Sequence, residues 1–278
     1  ERVRRLLGEL EVARAALDRE TLARREHANQ LKTDLRQMEQ DQQRLGAERA
    51  AEREQGEQVL EILGQGDRQY LTGLKLGGKR VLILLDASAS MLDETIVNVI
   101  RRRNLEPAQR RTAPKWRRAL ASTEWLIANL PPDARFQLYR FNTEAEPVLS
   151  GSAGSWLAAA DSGQVDAALR ALEQVAPEDG TSLHHAFAAA DRLEPKPDNI
   201  LLITDGLPTQ GKGKPWGSKV SGENRLKHFA SALKQLPKGV PVNTILLPME
   251  GDPYAAAAFW QLAQSSRGSF LTPARAWP

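Results

Sequence analysis

From Arg80 onward, short β-rich runs alternate with helical patterns, and two of those runs carry no polar residue at all. Val81-Leu82-Ile83-Leu84-Leu85 and Ile200-Leu201-Leu202-Ile203 are continuously apolar. A strand reads this way when both of its faces are covered, as in the middle of a parallel sheet. The β-rich runs fall at 80–86, 134–141, 199–205, 242–248 and 268–272, with a weaker one near 146–150. Helical patterns fill the gaps at 92–103, 115–129, 163–175, 182–193, 223–236 and 254–264. This alternation predicts an α/β fold, a doubly wound, mostly parallel sheet with helices on both faces. Ligands of such a sheet collect outside the carboxyl ends of the strands, where the strand order reverses.

The chain before residue 64 has a different character. Residues 1–60 contain no Pro and no aromatic residue. Apolar residues recur every seven positions at Val3, Leu10, Leu17, Leu31, Met38 and Leu45, with Arg24 as the break. A second stripe, Leu7, Arg14, Thr21, Ala28, Leu35 and Gln42, is half polar. The pattern predicts a long helix over 1–63 with an imperfect coiled-coil seam, hence a homo-oligomer through that seam. A solvated single helix is the alternative. Five glycines between residues 64 and 79 then break the helix and predict a linker before a domain at 80–278.

The first apolar run ends in Asp86-Ala87-Ser88-Ala89-Ser90, with a helical pattern directly after it. One carboxylate and two hydroxyls of the same parity leave the sheet at its carboxyl end. Hard oxygen donors of this kind suit Mg²⁺, Mn²⁺ or Ca²⁺ rather than zinc or copper. Two further pieces occur at matching places. Glu178-Asp179-Gly180-Thr181-Ser182 precedes a helix, and the run Asn199 to Thr204 ends in Asp205-Gly206. Each piece alone has a plainer reading, as a helix cap or a turn. The conjunction is what favours a metal site.

In these residues the segment from 80 to 272 resembles a von Willebrand factor type A domain. Asp86, Ser88, Ser90, Thr181 and Asp205 match the five positions of that family's metal-ion-dependent adhesion site, in order. The resemblance implies that Ser88 and Ser90 bind the cation directly and that Thr181 does so when a ligand is present. Asp86 and Asp205 would stand behind them, holding waters and hydroxyl orientations. It also implies a non-enzymatic module that takes an Asp or Glu carboxylate from a partner protein as the cation's last ligand. The spacing from Asp86 to Thr181 is long for the family, which the Arg-rich stretch 101–118 accounts for as an insertion. After the last β-rich run only Pro273 to Pro278 remain, where many relatives carry another helix.

Other signals point to less. Gly206-Leu-Pro-Thr-Gln-Gly211-Lys212 approaches a phosphate loop, but Gly213 and Pro215 follow where a Ser or Thr and a helix are needed. Residues 206–222 read instead as a mobile loop beside the metal, with Trp216 as an exposed contact. His184 and His185 project about 100° apart on a helix and read as one packed and one exposed side chain. Residues 101–118 hold eight Lys or Arg and one acid. With Lys212, Lys214, Lys219 and Lys227 they read as a solvated face or a basic surface, without a nucleic-acid fold to support specific binding. Trp125 and Trp260 read as core.

The absence of Cys excludes disulfides, thiolate zinc and cysteine nucleophiles. A haloacid-dehalogenase-type phosphatase also uses an Asp after an apolar first strand, but its general acid would fall at Ser88. A scaffold with an idle metal site is the other competing function. The chain opens at Glu1, which leaves room for a membrane anchor upstream and an extracytoplasmic location; a cytoplasmic one fits nearly as well.

Overall fold

The computed structural model describes residues 74–213, 220–274 and 277. The predicted coiled coil at 1–63, most of the linker and Trp216 lie outside the described residues. The described part belongs to the unit Gln65–Pro278. Its elements run β1 (Arg80–Asp86), a 3₁₀ turn (Ala89–Leu92), α1 (Ile96–Arg102), α2 (Pro107–Arg111), α3 (Pro114–Ala128), β2 (Arg135–Phe141), β3 (Ala145–Pro147) and β4 (Leu157–Ala158). They continue with α4 (Ser162–Glu173), α5 (Leu183–Arg192), β5 (Asn199–Thr204), α6 (Gly222–Leu233), β6 (Val242–Leu246), α7 (Ala255–Ser266) and β7 (Phe270–Leu271).

The strands form one sheet in the order β3-β2-β1-β5-β6-β7, with β4 also on β2. β2, β1, β5, β6 and β7 pair in parallel, and only β3 and β4 run antiparallel to β2. β1 therefore has β2 on one side and β5 on the other, so the crossovers leaving it wind in opposite directions. That is the strand-order reversal at which a crevice opens.

The apolar runs serve two cores because successive side chains point to opposite faces. Val81, Ile83, Leu85, Leu201 and Ile203 pack with Trp116, Ala119 and Leu126 of α3 and Ala168 and Leu172 of α4. Leu82, Leu84, Ile200 and Leu202 pack with Leu183 and Phe187 of α5, Phe229 of α6 and Phe259 and Leu262 of α7. Every residue of β5 is buried, which explains the lack of polar alternation.

Four details add to or depart from the sequence reading. Pro107 and Pro114 lie in the Arg-rich stretch, and each starts a new helix at its first turn, where a missing N–H costs nothing. The domain also takes in residues ahead of Arg80. Leu74 and Leu76 are fully buried in the first core, and Asn199 Nδ2 donates to the carbonyls of Lys75 and Gly77 at 2.8 and 2.6 Å. Trp260 is 55% exposed, because α7 turns Phe259 and Leu262 inward and leaves position 260 outward. Trp277 returns to the domain and packs edge-on against Trp125, centroids 5.3 Å apart.

Leu76→Ala should cost about 2–4 kcal/mol of stability in urea unfolding, as expected of a core residue and not of a linker.

Candidate metal centre

The β1–β5 pairing sets the site. Leu85 lies opposite Ile203, so Asp86 at the end of β1 and Thr204-Asp205 at the end of β5 emerge side by side. Asp86 is fully buried and both carboxylate oxygens are engaged. The Ser88 N–H donates to Oδ1 at 2.9 Å, and the Thr204 hydroxyl donates to Oδ2 at 2.7 Å. The bond from Ser88 folds the chain back at once, which turns Ser88 and Ser90 toward β5. Their hydroxyl oxygens are hydrogen-bonded at 3.0 Å, and the Ser90 hydroxyl donates to Asp205 Oδ1 at 2.9 Å. Ser88 is buried, whereas Ser90 is partly exposed, so the cluster reaches solvent on that side.

Two loops fix the third side. Asp179 adopts φ 63°, a left-handed conformation that Asp tolerates better than most residues. The turn it makes lets Glu178 N–H donate to Ala87 O at 2.9 Å and Asp179 O accept from Ala89 N–H at 3.0 Å. Thr181 is buried between this clamp and the loop after β5. Its N–H donates to Thr209 Oγ1, and its carbonyl accepts from the N–H groups of Thr209 and Gln210. Asp86, Ser88, Ser90 and Asp205 thus form one bonded cluster. Thr181 is held beside it through backbone bonds to the Thr209-Gln210 segment, and the loop that carries it is clamped to Ala87 and Ala89.

The loop after β5 is tied down over its described part, in contrast to the expected mobility. Leu207 is fully buried. Its N–H donates to Asp252 Oδ2 at 2.7 Å, and its carbonyl accepts from Arg225. Arg225 in turn pairs with Asp252 at 2.9 Å. Neither residue stood out in the sequence, since an isolated Arg and an Asp before a Pro carry no spacing signal.

Lys115 was also missed. It sits in the first turn of α3 with its side chain 1% exposed, and its Nζ lies 2.6 Å from Asp205 Oδ2. Part of the basic stretch is likewise paired with acids, while Arg101, Arg103 and Arg117 are exposed. Arg102 pairs with Asp93, Arg110 with Glu178 and Arg118 with Glu94. His184 and His185 are both half-buried rather than split between core and solvent. His185 Nδ1 meets Thr143 O at 2.6 Å. His184 Nδ1 is buried without a partner, and burial, then His185 and Lys212, push its pKa down.

Burial and then the charge of Asp205 push the Asp86 carboxyl up from 3.8 to about 7, against the bonds from Ser88 and Thr204 that favour its charged form. Among the described residues no three His, Cys, Asp or Glu side chains gather as a metal-binding group. Any cation here would depend on hydroxyls. The donor set fits one. Two oxygens sharing an octahedral ion at about 2.1 Å lie about 3.0 Å apart, which matches the Ser88–Ser90 and Ser90–Asp205 separations of 3.0 and 2.9 Å.

A family model described as the von Willebrand factor type A domain matches residues 123–269. That span includes Thr181 and Asp205 and begins after the Asp86–Ser90 segment. No curated protein matches the chain. Among solved structures, a von Willebrand factor type A protein from Catenulispora acidiphila is 18% identical, covering 72% of this chain and 39% of its own, with a TM-score of 0.48. An aerotolerance-related membrane protein from Bacteroides fragilis is 18% identical, covering 71% and 92%, with a TM-score of 0.42. BatB from Bacteroides thetaiotaomicron is 20% identical, covering 70% and 89%, with a TM-score of 0.39.

In metal-free protein the Asp86 charge is absent from both states below about pH 4. Between about pH 4 and 7 the unfolded state ionises while the folded state keeps the proton, which favours unfolding increasingly as pH rises. The stability of wild type relative to Asp86→Asn should therefore decline between these values and level off above them, as read by urea midpoints in EDTA.

Proposed function

Because the chain belongs to the von Willebrand factor type A family, we propose that it is a divalent-cation-dependent protein-interaction module, carried on an oligomerising helical stalk. Asp86, Ser88, Ser90, Thr181 and Asp205 would hold the ion, Mg²⁺ or else Mn²⁺ or Ca²⁺. Bound there, it would supply a hard, electron-poor centre that takes a carboxylate oxygen from an Asp or Glu of a partner. The observation that carries this reading is the bonded cluster of Ser88, Ser90 and Asp205, whose oxygen spacings suit one octahedral ion.

The chain's own groups divide the work by burial. Asp86, with both oxygens taken by Ser88 and Thr204, orients the turn that carries the two serines. Ser88 and Ser90 supply neutral oxygens, which leave the ion's charge largely unquenched. The surroundings favour a protein ligand. Ile96, Val97 and Ile100 of α1 are 45–58% exposed. α1 follows the site turn directly and is capped at the Ile96 N–H by Glu250. A partner segment with an acid flanked by apolar residues suits this surface.

The phosphatase alternative is disfavoured, since a covalent nucleophile at Asp86 would be sealed from substrate and would find Ser88 in place of its proton donor. The stalk reading rests on the heptad pattern of residues 1–63. Removing residues 1–60 should reduce the number of copies in the sedimenting particle, as read by analytical ultracentrifugation.

Calorimetry should show Mg²⁺ affinity reduced at least about tenfold by Ser88→Ala and by Asp205→Asn, with circular dichroism unchanged. Partner capture by the full chain should need Mg²⁺ and disappear in EDTA. Capture that ignores both EDTA and Asp86→Ala would leave only a scaffold.

A further inference from the structure

Lys115 is a charged side chain in an unfavourable position. It occupies the first turn of α3, where the positive end of the helix dipole disfavours a cation. Its side chain is 1% exposed, so it has also given up nearly all of its hydration. Such a residue persists only where acceptors replace water. Here three oxygens do so. Nζ donates to Asp205 Oδ2 at 2.6 Å and to the carbonyls of Ser90 and Asp93 at 3.1 Å each. Met249 Sδ closes the fourth side at 3.6 Å. Every N–H of the ammonium is used, two of them on the site turn itself.

Asp205 is thereby shared. One oxygen faces the Ser90 hydroxyl and the other holds Lys115. Of the two carboxylates in the cluster, one is already paired with a built-in cation, so the cluster is less negative than the same groups would be without Lys115. We propose that Lys115 sets the affinity of the cation site. It weakens the binding of a divalent ion taken alone and leaves the loaded site with an excess positive charge that an acidic ligand must complete. Ion and ligand then bind in a mutually dependent way, since each raises the affinity for the other by the same factor. This rests on reading the cluster as a cation site.

Replacing the ammonium should reveal the effect. Mn²⁺ binding to the full chain, followed by the electron paramagnetic resonance of the free ion, should be at least about tenfold tighter in Lys115→Met than in wild type. The gain should vanish when Asp205→Asn is added. Lys115→Gln keeps a donor for the carbonyls and should tighten binding as well, so the test survives if the Met variant fails to fold. Lys115→Arg keeps the charge and should stay near wild type. If wild type binds Mn²⁺ and the Met and Gln variants bind it equally or more weakly, this inference falls while the proposed function stands. If only the uncharged variants bind, Lys115 opposes the ion as inferred and the wild-type chain is no metal-dependent module. If none binds, both readings fall.

Discussion

Two carboxylates held side by side in a dry interior dominate this structure. Parallel pairing of β1 with β5 puts Asp86 and Asp205 at adjacent strand ends, and burial denies them water. Like charges in that position repel strongly, and the protein must answer them. It does so with donors: the Ser88 N–H and Thr204 hydroxyl on Asp86, and the Ser90 hydroxyl and Lys115 ammonium on Asp205. Burial first and Asp205 second still hold the Asp86 carboxyl above its ordinary range, so these donors offset the lost water only in part.

The same pairing explains why the fold could be read from the chain. Val81–Leu85 and Ile200–Ile203 are apolar on both faces because both faces are covered, and their alternation with helical patterns pointed to central parallel strands. Helices with one buried stripe were equally legible. What escaped was short or compensated. β4 has two residues held to β2, too few to show a period. Leu74 and Leu76 were hidden among glycines, where the local signal for a break outweighed two apolar side chains at alternate positions. Trp260 read as core because its helix looks apolar, but Phe259 and Leu262 define the buried stripe of α7 and leave 260 outside it.

At the site, legibility followed chemistry rather than distance. Asp86, Ser88, Ser90 and Asp205 were legible only in conjunction, since each alone reads as a cap or a turn but together they set acids and hydroxyls at the ends of two apolar strands. The structure brings these four into one bonded cluster, although they come from two separate parts of the chain. Arg225 and Asp252 gave no such sign. Their task is to hold the Leu207 backbone, and any well-placed charged pair could do it.

Lys115 shows the limit of reading charge by composition. In a run of eight basic residues it looks like one more solvated side chain, and its neighbours Arg110, Arg111 and Arg118 do lie nearer the surface. The difference is one of helical phase. Trp116 and Ala119 commit one face of α3 to the core, and position 115 lies at the margin of that face, within a lysine's reach of the ends of β1 and β5. A long flexible stem then delivers its charge to the nearest acceptor that can repay desolvation, and there the strongest such acceptor is Asp205. A buried acid at a strand end thus selects its own counter-ion from whichever basic residue the packing brings close, and the charge of the whole cluster follows from that choice.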